Sequence, residues 1–242
     1  MKKKIIENIK TLFYALIIAL IIRSFLFQPF SIPSSSMEPN LLIGDRLFVS
    51  KYTYGYSKHS LPFSPNIIDK RILHKSPQRG DIIVFKTPAD NRTDYIKRLI
   101  GLPGDKIQIK NNDLYLNDNK IVKRKISNSI DINCGTENIN VTFFEEILPN
   151  GRSYTAVYRN DGSMLNSDLY IVPENHYFFM GDNRDCSKDS RYLSSVGYVD
   201  FENLVGEAKI IFFSNDIKKG TFIKFWKWSE SLRTERFFRK IK

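Results

Sequence analysis

The sequence predicts a mainly β protein. One N-terminal transmembrane helix precedes an antiparallel β core, and the core carries a smaller inserted β subdomain. Three observations predict this. The only long apolar run occupies residues 11–30, and the segments after it are short, apolar or alternating, and bounded by Gly, Pro, Asn and Asp. Residues 111–175 interrupt those segments with a polar, Asn-rich stretch. A chain of 242 residues can hold one domain with a subdomain and bury a real core.

Lys2, Lys3, Lys4 and Lys10 precede the apolar residues 12–27, broken only by Arg23 and Ser24. A helix over 11–30 would rise about 30 Å, one hydrocarbon thickness. Arg23, near the outer end, can snorkel to the interface. The leading lysines favour a cytoplasmic N-terminus over residues 1–10. A cleaved signal peptide shares the basic start and apolar core. Here, however, Arg23, bulky Phe residues and Gln28-Pro29-Phe30 leave no small-x-small cleavage site. The expectation is an uncleaved signal anchor that puts Ser31 onward on the far side of the membrane.

Residues 46–52 read as a strand after a Gly44-Asp45 turn, and residues 55–78 as a loop. Arg79-Gly80-Asp81 introduces Ile82–Lys86, whose apolar run suits a buried strand. Residues 94–100 form a further strand ended by Gly101-Leu102-Pro103-Gly104-Asp105, and Lys106–Lys110 alternates with one buried face. Hairpin signals stand at Asn117-Asp118-Asn119 and Asn150-Gly151. His176–Met180 and Leu204–Ser214 return to strand composition. The core is therefore expected over 31–110 and 176–215, the insert over 111–175, and a tail over 216–242.

The formal charge of +11 is uneven: residues 217–242 hold nine Lys/Arg against Glu230 and Glu235. Phe222, Phe225, Trp226, Trp228, Phe237 and Phe238 interleave with them. Such a tail suits an anionic lipid surface. Nucleic acid is the rival partner, but the membrane segment favours lipid, so no nucleic acid is expected. Cys134 and Cys186 are too few for a disulfide framework or, alone, a zinc site. They can pair in an oxidising compartment, although the sequence gives no geometry for it.

Function turns on Ile32-Pro33-Ser34-Ser35-Ser36-Met37-Glu38-Pro39-Asn40, where two prolines hold a serine cluster in a rigid, non-helical segment. Serine needs a base to become a nucleophile. His59, His74 and His176 lie in no catalytic context. Lys97 sits in a strand, sharing a face with Tyr95 and Leu99. Desolvation there would lower its pKa, with Arg98 adding repulsion, and a neutral lysine can take a serine proton. In residues 181–191, Gly181-Asp182-Asn183-Arg184-Asp185-Cys186-Ser187-Lys188-Asp189-Ser190-Arg191, a calcium loop fails on spacing. Counting from Asp185, Ser190 stands at the sixth position and Val196 at the twelfth. A hydrogen-bonded turn beside a site fits better, and no metal is expected.

Four boxes, in order and after the anchor, resemble those of bacterial type I signal peptidases (leader peptidases). They are Ile32-Pro33-Ser34-x-Ser36-Met37-x-Pro39; Arg79-Gly80-Asp81-Ile82; Tyr95-Ile96-Lys97-Arg98 with Gly101-Leu102-Pro103-Gly104-Asp105; and Gly181-Asp182-Asn183-Arg184-Asp185 through Ser190-Arg191. The resemblance implies a signal-peptidase-like fold, a β catalytic core with an inserted β subdomain. It implies Ser36 as nucleophile and Lys97 as general base of a Ser–Lys dyad, with Ser34 and the Ser36 N–H as the oxyanion hole. Ser187 would orient the lysine, Asp189, Arg191 and Tyr95 would support the site, and Met37 would place the loop near the membrane surface. It also implies no cofactor, preprotein signal peptides as partners, and a single-pass protein of the bacterial inner membrane with its catalytic domain on the periplasmic side. Cys186, where many members have Asn, and Asn40, where Thr is common, depart from the pattern. The family's disulfide, which lies within the insert, is not carried over. A self-cleaving repressor protease shares the dyad but needs a helix-turn-helix before the serine. A membrane-tethered β scaffold is the non-enzymatic alternative.

Overall fold

A computed structural model of the chain describes residues 2–162, 164–220, 226 and 228–241. Helix α1 (Lys2–Ile21) runs into a π-helical turn at Ile22–Leu26. The stretch Lys3–Leu26 is long and apolar enough to cross a membrane, and it is unburied in the fold. The apolar run is therefore not one helix to residue 30. Residues 27–31 form β1 (Phe27–Ser31), antiparallel to β2 (Asp45–Ser50) at the edge of the main sheet. An edge tolerates Pro29, which lacks an N–H, and Phe27 and Phe30 suit a strand as well as a membrane.

The chain continues through β3 (Ile82–Lys86), β4 (Asp94–Gly101), β5 (Lys106–Lys110), β6 (Asp113–Leu116), β7 (Asn119–Lys120) and β8 (Val122–Lys125). Next come β9 (Ile130–Cys134), β10 (Glu137–Ile147), β11 (Ser153–Arg159), β12 (Tyr170–Ile171) and β13 (His176–Met180). The last strands are β14 (Val199–Asp200), β15 (Leu204–Ser214) and β16 (Arg239–Lys240). The main antiparallel sheet has the order β1-β2-β15-β3-β4-β13-β14, with β16 on β15. Its strand β3 is buried on both faces, which explains why Ile82–Phe85 carries no polar residue. Ile82 and Val84 pack with Ile32, Met37, Leu41 and Leu47, while Ile83 and Phe85 pack with Leu99, Tyr177 and Phe179.

The insert forms two smaller sheets, β12-β5-β6-β7 and β11-β10-β8 with β9 on β10. Strand β5, expected in the core, pairs with β6 and β12, and Ile107 and Ile109 pack in one cluster with Ile100, Phe178 and Met180 of the core strands. Its alternation was visible in sequence, but its partners were not, because pairing is non-local. Asn117 and Asp118 both take positive φ in the β6–β7 turn, as a tight hairpin demands.

The tail is more than a surface segment. After a single helical turn, α2 (Trp228–Ser231), Arg236 is buried and pairs with the buried Asp45 at 2.5 Å, and β16 closes on β15. Trp226 and Phe238 remain exposed; Phe222 and Phe225 lie outside the described residues.

Cys134 on β9 and Cys186 form a disulfide with Cα atoms 5.6 Å apart. It ties the insert to the 181–191 segment and closes a loop across a sequence separation of 52 residues. Double replacement by serine is expected to cost about 2–4 kcal/mol in a denaturant titration, and dithiothreitol should do the same to the native protein. Equal midpoints with and without reductant would show that the bond does not constrain the unfolded chain.

Candidate active site

Ser36 sits on a one-turn 3-10 helix (Ser35–Met37) that the core holds from below. Met37 and Leu41 are fully buried and pack with Ile32, so the turn is pinned on both sides of the serine. The Met37 side chain points into the core, where its burial anchors the loop from within.

Lys97 lies at the centre of β4 and is 4% exposed; Ser36 is 7% exposed. Lys97 Nζ donates to Ser36 Oγ at 2.7 Å and to the Ile96 carbonyl at 2.9 Å. It lies 5.3 Å from the centroid of the Tyr95 ring, on the face the alternation predicts. Burial lowers the lysine to a pKa of about 8; Asp189 and Asp182 pull it back up and Arg191 pushes it down. Arg98 is not the repelling charge expected from sequence. Its guanidinium is held by Asp182, Nε to Oδ1 at 2.7 Å and Nη2 to Oδ2 at 2.8 Å.

Ser34 is exposed, and its Oγ lies 3.3 Å from Ser36 Oγ. Asp189 and Arg191 form a buried pair at 2.8 Å, and Asp189 also accepts the Gly181 N–H at 2.8 Å. Burial raises the Asp189 carboxyl, but Arg191 and the Gly181 N–H outweigh it and hold the group below its ordinary value. Among the described residues Lys97 Nζ donates to Ser36 and Ile96 rather than to Ser187, whose buried hydroxyl helps hold the Asp189 carboxyl below its ordinary value. Ser187 packs against Gly181, where an added Cβ would come 2.2 Å from Ser187 Oγ and 2.5 Å from the Ser36 carbonyl. Gly181→Ala must therefore displace Ser36 or Ser187. A fall in kcat of tenfold or more is expected, since small misplacements near the reacting atoms are costly. Unchanged kcat would mean the segment yields freely.

Several supporting residues escaped the sequence reading. Asn183 donates its N–H to the Ser36 carbonyl and its side-chain amide to the Ser35 carbonyl, both at 3.2 Å. Ser35 Oγ lies 3.2 Å from Cys186 Sγ and must donate, because a disulfide sulfur has no proton. Asn40, which looked like a minor departure, donates to Asp182 Oδ2 and to the Thr155 carbonyl, both at 2.7 Å. Below these, buried Arg184 meets Glu146, Tyr154 and Tyr158 of the insert. Burial raises the Glu146 carboxyl; Arg184 and the two tyrosine hydroxyls more than reverse it. One signal was available: an arginine such as Arg98 between apolar strand residues requires a buried counter-ion.

The buried serine–lysine pair, with a lysine neutral in a useful fraction at neutral pH, can carry acyl transfer. The sequence profile of the family described as "Signal peptidase, peptidase S26" matches residues 5–213. A signal peptidase I from Rickettsia typhi (strain ATCC VR-144 / Wilmington) is 40% identical over 257 residues, covering 99% of this chain and 95% of that one. One from Rickettsia conorii (strain ATCC VR-613 / Malish 7) is 42% identical over 246 residues, with 94% and 90% covered. A crystal structure of a signal peptidase I from Enterococcus faecalis V583 aligns at 30% identity over 55% of this chain and 97% of that one, with a TM-score of 0.33. A family profile matched over most of the chain, joined to relatives that are similar from end to end, leaves one conclusion: this chain belongs to the signal peptidase family, peptidase S26.

Proposed function

We propose that the chain is a membrane-bound serine endopeptidase that removes N-terminal signal peptides from exported preproteins through a Ser36–Lys97 dyad. The observation that carries this reading is the 2.7 Å contact between Lys97 Nζ and Ser36 Oγ, both buried. In the neutral lysine the lone pair takes the serine proton as Oγ attacks the scissile carbonyl. The oxyanion is held by the Ser34 hydroxyl and the Ser36 N–H; losing one such donor typically costs about 3 kcal/mol. Lys97 then protonates the leaving amine and activates the water that hydrolyses the acyl-enzyme. The substrate binds as an added extended strand, and shallow apolar pockets admit small side chains at the −1 and −3 positions.

The proposed placement is the bacterial inner membrane, single-pass, with a cytoplasmic N-terminus and a periplasmic catalytic domain. The basic start before α1 supports the orientation. The Cys134–Cys186 bond supports an oxidising compartment for the catalytic side.

Cleavage of a preprotein with an Ala-x-Ala site, in detergent–lipid micelles, tests the reading. Wild type should cut once, after the second alanine. Ser36→Ala should abolish the cut, and Ser187→Ala should keep part of it. Persistent cutting by Ser36→Ala would remove the nucleophile assignment, and no cutting by folded wild type would favour the scaffold.

A further inference from the structure

We infer that the cleft at the outer end of the membrane helix binds the phosphate headgroup of an anionic phospholipid, with an acyl chain in the apolar groove beside it. The inference rests on the reading of α1 as a membrane anchor. The cleft, of about 660 Å³, is lined by Arg23, Lys51, Lys58, Lys86 and Arg92. Its two carboxylates, Asp90 and Asp94, are engaged within the lining and offset only part of its charge. Asp94 pairs with Lys86 at 2.9 Å, and Asp90 accepts from the Arg92 and Thr93 N–H groups and the Thr93 hydroxyl. Among the described residues, Arg23, Lys51, Lys58 and Arg92 have no carboxylate partner within 4.0 Å, so the lining is left with an excess of positive charge.

Two side chains in the lining are buried and incompletely satisfied. Lys51 is 2% exposed and spends two of its three N–H donors on the carbonyls of His59 and Ser60, at 3.1 and 2.9 Å. His59 is 4% exposed; its Nδ1 lies 3.0 Å from Ser64 Oγ, and its Nε2 is buried without a partner. With Ser64 donating to Nδ1, Nε2 carries a proton with nothing to receive it. A phosphate oxygen in the cleft would accept the remaining Lys51 N–H. Burial and nearby cations hold His59 down at about 4, so its ring adds no charge of its own to the lining.

Position selects a lipid over a free anion. The Lys51 N–H donates to the Leu26 carbonyl at 3.0 Å, which fixes the cleft at the last turn of the span. Arg23 also lines a second cavity, a groove of about 480 Å³ formed with Ala19, Ile22, Phe27, Pro29 and Phe48. Phe63 stands fully exposed in the lining of the cleft. Cationic and apolar surfaces that meet at one arginine match an amphiphile, whereas inorganic phosphate would leave the groove empty.

The test is native mass spectrometry of the full chain in dodecyl maltoside micelles, titrated with phosphatidylglycerol or with phosphatidylcholine of the same acyl chains. Phosphatidylglycerol should bind about tenfold more tightly. Lys58→Gln/Arg92→Gln, at two side chains outside the dyad, should erase that preference and leave cleavage in phosphatidylcholine micelles unchanged. Equal binding of the two lipids, or a preference that survives in the double variant, overturns the site. Millimolar inorganic phosphate that competes as well as the lipid overturns the lipid assignment. Lost preference for phosphatidylglycerol in wild type with intact cleavage counts against this site alone. Absent cleavage with intact lipid binding counts against the peptidase reading alone.

Discussion

Lys97→Met is expected to abolish cleavage and, at neutral pH, to make the protein more stable. Both effects follow from one burial. An ordinary lysine at pH 7 is neutral in about one molecule in 3,000, whereas a lysine at about 8 is neutral in about one in ten. The base is thus available, and kcat/KM should rise with pH and level off above about 8. Methionine has no lone pair to give, so kcat/KM should fall at least about 10³-fold. The stability effect has the opposite sign. Between pH 8 and the unfolded value near 10.5, the unfolded chain binds a proton that the folded chain does not, so this group's contribution rises with pH across that window. Below about 8 the full penalty is present, of order 3 kcal/mol. Lys97→Met removes that penalty but also the contacts to Ser36 and Ile96, for a net gain of about 1–2 kcal/mol at pH 7 that shrinks toward pH 10. Urea titrations at pH 7 and pH 10 measure it. A variant less stable than wild type at pH 7 would show that the site accepts the ammonium at no cost, and the neutral-base mechanism would fall with it.

What was legible in the sequence follows from what is local. Strands β3, β5, β13 and β15 stand where apolar runs or alternation put them, because burial on one or both faces writes itself into neighbouring residues. Strand β1 was hidden, since Phe27 and Phe30 continue the hydrophobic run of the membrane helix and only pairing with β2 separates them from it. The pairing of β5 with β6 and β12, the return of β16 to β15 and the Cys134–Cys186 bond are all non-local, and no pattern within a segment encodes them. The site divides in the same way. Lys97 stood out as a lysine in an apolar strand, whereas Ser36 was separated from Ser34 and Ser35, which share its place between two prolines, only by the resemblance of its box. The partners that hold them come from distant segments and read as ordinary polar residues until the fold brings them together.

Asp182 is the clearest of those partners, and Asp182→Ala is expected to cost about 3–5 kcal/mol, the largest stability loss of any single substitution around the site. The carboxylate is fully buried, grips Arg98 with both oxygens and accepts from Asn40, while the Asp182 carbonyl accepts the Val157 N–H of β11 at 2.8 Å. Arg98 is 2% exposed, over the Tyr154 ring at 4.1 Å, so without the carboxylate its charge stays desolvated and poorly compensated. The cost belongs to the stranded partner rather than to the pair itself. Arg98→Met/Asp182→Leu, which removes both charges, should therefore recover most of the loss, and a urea double-mutant cycle reads the coupling. Costs that simply add in the double variant would sink this account of the pair. The catalytic readout separates a local from a global effect. Asp182 raises the Lys97 pKa, so removing its charge should lower the lysine below 8 and move the plateau of kcat/KM to lower pH in whatever enzyme still folds. A destabilised variant with an unmoved pH profile would leave Asp182 a purely structural residue. A shifted profile would make the insert, through β11 and Asp182, part of what sets the acidity of the base.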